Sequence, residues 1–222
     1  ATFEYTGRAS DLGVFIGPYV VQQTAHGDLE LRTYFETADS ALSQRYLKAV
    51  AGYIDRYENE IGPYPYSGFS VVSARLPVGL GFAGLTYVSR DILSHPYMLG
   101  RSLAHEVLHS WWGNAVGVHY ESGNWAEGLT TFQADYGLAE DQGKEAARDM
   151  RIAWIRDLAI LKPEHRQPLT EFRSSSHAGD QSIGYGKAAL LFHMLRNEIG
   201  SQAFRTGVRD FYHQNRSTIA GW

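Results

Sequence analysis

The chain has 222 residues, of which 44% are hydrophobic and 20% charged, a length and composition typical of a globular domain. Its 20 basic and 24 acidic residues give a formal net charge of −4, which does not favour nucleic acid or an anionic membrane as the main partner. No run approaches about 18 consecutive apolar residues, so no membrane-spanning helix is predicted. The absence of cysteine excludes disulfides, thiolate metal ligands and cysteine nucleophiles.

The two ends of the sequence indicate that the chain is part of a longer polypeptide. It begins at Ala1 rather than at a methionine, without a charged and then apolar leader, and it ends at Trp222 without a capping signal or a charged tail. We therefore expect residues 1–222 to form a single domain, with flanking domains of the same polypeptide as partners.

The first part of the chain favours strands. The glycine in His26-Gly27-Asp28 is typical of a hairpin turn, and a long amphipathic helix is expected to start at Asp39 or Ser40. Apolar and β-branched runs predict strands at residues 17–23, 28–35, 69–74 and 82–89.

After Pro96 the sequence favours helices. Helical periodicity covers residues 97–112, 127–139, 144–161, 186–199 and 202–214. Strands followed by helices predict an α+β domain, with a sheet-rich lobe at about residues 1–95, a helical lobe at about 96–222 and a cleft between them.

One short motif in this helical region points to metal chemistry. His105-Glu106-Val107-Leu108-His109 is an H-E-x-x-H sequence, and a spacing of four residues places both imidazoles on one helix face. Zinc binds neutral imidazole nitrogens, and a catalytic zinc site needs three protein ligands with one position left for water. Glu106 is placed to take a proton from that water. Two unrelated histidines on a polar helix face are the alternative interpretation, but the apolar residues around them argue against it.

A third ligand has to come from elsewhere in the chain. Glu127 stands 18 positions after His109 and opens the next predicted helix, beyond a loop that contains Gly123. A glutamate at a helix N-terminus also suits the helix dipole, so Glu127 alone does not identify a metal site.

Several motifs together resemble the gluzincin metallopeptidases, specifically the family of aminopeptidase N and leukotriene hydrolase, which has a thermolysin-like catalytic domain. The H-E-x-x-H motif continues as Ser110-Trp111-Trp112-Gly113-Asn114, similar to the H-x-W-x-G-N of that family. The other matching segments are the W-x-E-G sequence at residues 125–128, Gly62-Pro63-Tyr64-Pro65-Tyr66, and the helix start at Tyr185-Gly186-Lys187. The resemblance extends from about Gly17 to Tyr212.

The resemblance implies a role for each matching residue. His105, His109 and Glu127 would bind one zinc ion per chain, Glu106 would be the general base that activates the zinc-bound water, and Tyr185 would hold the oxyanion together with zinc. The implied activity is zinc-dependent hydrolysis of a peptide bond in a peptide or protein substrate.

The sequence departs from the family pattern in two places. The segment between His109 and Glu127 is one residue shorter than usual, a change that a loop absorbs easily. The glutamate of the family's G-x-M-E-N strand, which grips the substrate's free α-amine, has no counterpart, because no acidic residue lies between Arg75 and Arg90. Strict aminopeptidase specificity is therefore not predicted, although a strand here can still pair its backbone with a peptide.

Other interpretations and contributors stay open at this level. The domain could be an inactive peptidase-like binding module or a non-peptide zinc hydrolase. Thr131 and Asp135 are candidates to accept a hydrogen bond from a ligand imidazole, because metal sites usually need such an acceptor. His177 is a candidate for contact with the substrate or the oxyanion, with a surface loop as its alternative setting.

Overall fold

The computed structural model describes residues 13–76, 79–174 and 178–222. Five strands form a mixed sheet in the order β1-β2-β3-β5-β4. The strands are β1 (Tyr19–His26), β2 (Leu29–Glu36), β3 (Gly68–Ala74), β4 (Gly79–Phe82) and β5 (Leu85–Ser89). The three central strands β2, β3 and β5 are parallel, whereas β1 and β4 lie antiparallel at the two edges.

Two glycine turns set the strand boundaries. The predicted hairpin is confirmed, since Gly27 adopts a positive φ of 57° in the turn between β1 and β2. The prediction of one strand over residues 82–89 is wrong. Gly84 has a φ of 68°, and the chain reverses there to form the β4–β5 hairpin.

The long helix α1 (Ser43–Glu60) packs against the sheet through an apolar face that the sequence pattern predicted. Its start differs from the prediction, because the preceding residues Thr37–Leu42 form a 3₁₀-helix. Neither Asp39 nor Ser40 caps α1; instead Arg90 donates a hydrogen bond of 2.8 Å from Nε to Asp39.

The second half of the chain is mostly helical, as predicted. The helices are α2 (Leu103–Leu108), α3 (Trp125–Thr130), α4 (Gly137–Gln142), α5 (Lys144–Ala159), α6 (Ala178–Gln181), α7 (Ala188–Ile199) and α8 (Ser201–Asn215). Three π-helical segments, Met98–Ser102, Thr131–Tyr136 and Ser182–Lys187, continue directly into α2, α4 and α7. Shorter 3₁₀ turns lie at Arg90–Ile92, Tyr120–Ser122, Pro163–His165 and Leu169–Glu171. None of the described helices combines the length and apolar character needed to cross a bilayer.

The predicted helix over residues 97–112 is interrupted at both ends. Gly100 has φ −86° and ψ −108°, which are not helical values, and the chain leaves the helix after His109. It then enters a small parallel sheet in the order β6-β7-β8 that the sequence did not predict. Its strands are β6 (Trp112–Gly113), β7 (Val116–Val118) and β8 (Ile219–Ala220).

Aromatic side chains fill the core directly beneath α2. Trp111 is fully buried and its ring meets the edges of Tyr57 and Tyr64 at centroid distances of 5.8 and 5.2 Å. Its indole Nε1 donates to the Gly62 carbonyl at 3.0 Å, so this buried polar group is satisfied. The packing ties α2 to α1 and to the turn that follows α1.

A contact between two small residues brings α3 and α7 together. A Cβ atom built on Gly128 would lie 2.2 Å from Cβ of Ala188 and 3.2 Å from its backbone. The helices approach so closely only because residue 128 has no side chain. This contact sets the separation between the start of α3 and the segment that leads into α7.

We predict opposite effects for alanine at two glycines that both lie within helices. Gly128→Ala should lower the free energy of unfolding, because overpacking a closed contact costs about 1–3 kcal/mol. That cost exceeds the gain of about 0.5–1 kcal/mol that alanine brings to a helix.

The matched control is Gly52→Ala in α1, where an added Cβ meets nothing within 4 Å. This substitution should raise the free energy of unfolding by about 0.5–1 kcal/mol. Urea unfolding of both variants beside the wild type measures the difference. Equal stabilisation by the two substitutions would show that α3 and α7 are not in close contact.

Candidate metal centre

Three predicted side chains meet where α2 faces the first turn of α3. His105 lies on α2 and His109 directly follows its last residue, one helical turn later; their Nε2 atoms are each 3.3 Å from the same Glu127 oxygen, Oε2. One donor atom from each of the three residues lies within 4.8 Å of the others. The structure therefore places the proposed ligand atoms around a common point.

The other ring nitrogen of each histidine is held by an acceptor. Nδ1 of His105 lies 2.7 Å from Asp135 Oδ2, and Nδ1 of His109 lies 2.9 Å from the Trp112 carbonyl oxygen. A carbonyl oxygen and a carboxylate can only accept, so both Nδ1 atoms carry a proton and both Nε2 atoms can present a lone pair. Two such nitrogens and a carboxylate oxygen are a donor set that suits zinc.

One of the two candidate acceptors contacts an imidazole of a proposed ligand. Asp135 makes the hydrogen bond to His105 described above. Thr131 does not, because its Oγ1 is buried without a hydrogen-bond partner among the described residues. His177 lies outside the described residues.

The charges of these groups favour a cation at the common point. Burial alone would lower the pKa of both imidazoles, but Asp135 and Glu127 raise the pKa of His105 well above its ordinary value, and Glu127 also raises that of His109. Burial alone would raise the pKa of Glu127, but the imidazoles of His109 and His105 hold it well below its usual range. These opposite shifts arise because the carboxylates and the two imidazoles interact electrostatically with one another.

Glu106 lies between this centre and the edge of the five-stranded sheet. A Cβ atom added to Gly81 would come within 2.8 Å of Glu106 Oε2, so the backbone of β4 passes directly beside the carboxyl group. Burial raises the pKa of Glu106, and the two neighbouring imidazoles lower it only in part. The carboxyl group thus lies between the helices and β4, the last strand of the sheet in the described part of the chain.

Tyr185 approaches the centre from the π-helical segment Ser182–Lys187. Its ring stacks on the His105 ring with centroids 6.0 Å apart, and it interacts electrostatically with the Glu127 carboxylate. Burial and the Glu127 and Glu106 carboxylates raise the pKa of Tyr185 well above its ordinary value, so the hydroxyl keeps its proton. Gly184 permits this position, because a Cβ there would lie 2.1 Å from the Phe172 ring.

Two features of the site were not predicted from the sequence. The first is the pair of π-helical segments that carry Asp135 and Tyr185; π-bulges within helices are frequent at functional sites. The second is Arg101, whose Nε lies 3.1 Å from Asp135 Oδ1. The apolar periodicity of an α-helix carries no signal for either feature.

Two curated relatives share part of their sequence with this chain. Human aminopeptidase O is 22% identical over 204 residues, which are 78% of this chain and 25% of the relative. Glutamyl aminopeptidase of the viper Bitis rhinoceros is 28% identical over 151 residues, which are 62% of this chain and 16% of the relative. The chain thus spans a quarter or less of the length of these relatives.

Solved structures share the fold. The M1 zinc metallopeptidase of Deinococcus radiodurans superposes with a TM-score of 0.71 at 22% identity, over 92% of this chain and 46% of that one. Leukotriene A4 hydrolase of Saccharomyces cerevisiae superposes with a TM-score of 0.73 at 18% identity, over 90% of this chain and 34% of that one. The predicted α+β, thermolysin-like catalytic fold is confirmed.

The profile of the peptidase family M1 domain matches residues 98–220, which are more than half of the chain. This segment contains the two histidines, Glu127 and Tyr185, together with α2 to α8 and the small sheet. The resemblance inferred from the sequence motifs is confirmed, and the chain belongs to peptidase family M1.

Proposed function

We propose that this domain hydrolyses peptide bonds with one zinc ion held by His105, His109 and Glu127. The observation that carries the proposal is the convergence of three zinc-type donor atoms within 4.8 Å of one another. Glu106 and Tyr185, the two further groups that the chemistry needs, border the same point. A bound zinc ion supplies Lewis acidity, which polarises a substrate carbonyl and lowers the pKa of water at the site.

In this proposal Glu106 is the general base. It is adjacent to His105 on α2 and is not one of the three groups that meet at the metal position. Burial raises its pKa, which brings a carboxylate closer to the range in which it exchanges protons near neutrality. Glu106 would take the proton of the attacking water and then deliver it to the leaving amine.

Tyr185 would donate a hydrogen bond to the oxyanion that forms when water attacks the carbonyl. Its raised pKa keeps the hydroxyl protonated and therefore able to donate. The hydroxyl lies beside Glu127, at the edge of the metal position where the negative charge develops. One well-placed donor of this kind contributes about 2.7–4 kcal/mol to transition-state stabilisation.

The substrate would be an extended peptide or protein segment that lies along β4. Among the described residues this strand forms an edge of the sheet and pairs with β5 alone, so its other side would be able to pair with a peptide backbone. The hairpin from Gly79 to Ser89 carries no acidic side chain that could hold a substrate ammonium group. We therefore propose peptide hydrolysis without a strict requirement for a free N-terminus.

For the domain organisation we propose that residues 1–222 form one catalytic domain, with flanking domains of the same polypeptide as its partners. The relatives and solved structures described above are at least twice as long as the segment they share with this chain. Such domains would complete the cleft and contribute to specificity.

Metal content is the first test of the proposal. Elemental analysis of the purified domain should find about one zinc ion per chain, and Glu127→Ala should lose it because only two of three protein ligands remain. The control is Glu121→Ala, which removes a carboxylate that is 92% exposed in the loop before α3. This variant should keep its zinc. A wild-type protein without zinc, even after zinc is added, would contradict the proposal and favour an inactive binding module.

Glu106→Gln separates metal binding from proton transfer. The variant should keep the zinc content of the wild type, whereas kcat should fall by about 10²–10⁴-fold because the amide cannot accept the proton of water. Zinc analysis and a peptide-cleavage assay on the same preparation measure both effects. Retention of most of the activity would rule out Glu106 as the base.

Three substrates distinguish peptide hydrolysis from its alternatives. A peptide with a blocked N-terminus, the same peptide with a free N-terminus, and an ester are assayed with zinc-loaded protein. Both peptides should be cleaved at similar rates, because no acidic side chain on β4 selects the free amine. Cleavage of the free peptide alone would mean a strict aminopeptidase, cleavage of the ester alone a non-peptide hydrolase, and no cleavage a binding module.

A further inference from the structure

The carboxylate of Asp135 contacts a different side chain with each of its two oxygens. Oδ2 lies 2.7 Å from Nδ1 of His105, and Oδ1 lies 3.1 Å from Nε of Arg101. Each oxygen therefore serves a different partner. A carboxylate bound at both oxygens cannot rotate without breaking at least one of these contacts.

The three groups lie on two helices that meet beside the metal centre. Arg101 precedes His105 by four positions, in the π-helical segment Met98–Ser102, and Asp135 lies in the π-helical segment Thr131–Tyr136. Asp135 is largely shielded, with 15% of its side chain exposed, whereas the Arg101 side chain is 57% exposed. Arg101 thus lies on the solvent side of the largely buried hydrogen bond between His105 and Asp135.

We propose that Arg101 is a positioning residue for the metal site. It fixes the orientation of Asp135, so that this carboxylate accepts the Nδ1 proton of His105 and directs the Nε2 lone pair of that ring to the metal. This inference rests on the proposed zinc site but assigns a residue that the site itself does not contain. Acceptors of this kind orient metal-binding imidazoles and strengthen metal binding.

The charge of Arg101 makes the direction of the effect diagnostic. A guanidinium near the site repels a divalent cation, so removal of the charge alone would tighten zinc binding. Loss of positioning has the opposite effect, since a freely rotating Asp135 holds His105 less well. Weaker zinc binding on removal of Arg101 is therefore evidence for positioning and cannot come from the lost charge.

The test measures zinc affinity by competition with a chromophoric chelator in Arg101→Ala, Arg101→Lys and the wild type. Arg101→Ala should weaken zinc binding by up to about tenfold. This is the lower end of the range of losses in metal affinity that follow when a residue that orients a metal ligand is replaced. It should also alter the visible spectrum of the cobalt-substituted protein, which reports ligand geometry. Arg101→Lys should restore part of the affinity, because lysine can still bind Asp135.

Two controls separate positioning from a general loss of structure. Arg75→Ala removes another exposed arginine that pairs with a partly buried carboxylate, at 3.5 Å from Glu36, and it should change neither affinity nor spectrum. Thermal unfolding of the metal-free Arg101→Ala protein should match that of the Arg75→Ala variant. In an Asp135→Ala background, removal of Arg101 should cause no further weakening, because Arg101 acts through that carboxylate.

Unchanged or tighter zinc binding in Arg101→Ala would overturn the inference. An equal loss of zinc affinity in Arg75→Ala would also overturn it. So would a loss of affinity on removal of Arg101 that is just as large in the Asp135→Ala background. If Asp135→Ala does not fold, the Arg101→Lys result decides, and a failure to restore affinity counts against positioning. A wild-type protein that binds no zinc would overturn both the proposed function and this inference. A wild-type protein that binds zinc beside an unaffected Arg101→Ala variant would overturn this inference alone.

Discussion

The contact of two imidazole Nε2 atoms with one oxygen of Glu127 is the constraint on which the helical half of the molecule depends. It brings together three groups that are costly to remove from water, so each must be compensated by a partner. Asp135 and the Trp112 carbonyl satisfy the outer nitrogens, and the inner atoms face one another across a point that favours a cation. This balance fixes the distance between α2 and α3.

Packing of the surrounding helices also holds this arrangement. Trp111 anchors the end of α2 between the rings of Tyr57 and Tyr64, which belong to α1 and the turn after it. The close approach of Gly128 to Ala188 draws the helix of Tyr185 against that of Glu127. A close-packed interior transmits such constraints, because helices cannot shift without opening voids or clashes. The position of Tyr185 beside the site therefore depends on the close contact between α3 and α7.

Features that depend on residues close together in the sequence could be predicted, whereas features that depend on contacts between distant segments could not. The pairing of His105 with His109 follows from helix geometry, and the buried face of α1 follows from its apolar spacing. Glu127 lies beyond a loop, and only its resemblance to a family motif identified it. The π-helical segments and the Arg101–Asp135 pair could not be predicted, because both depend on how two helices meet in space. The turn at Gly84 was missed because the glycine lies within an otherwise strand-like run.

Gly81 lies in β4 of the sheet, directly beside Glu106 of α2. A Cβ at this position would lie 2.8 Å from Glu106 Oε2, so any larger residue would force the end of the Glu106 side chain, the proposed base, to shift. In the proposed function β4 would contact the substrate backbone here, and any selection of a free amine would involve groups outside the β4–β5 hairpin.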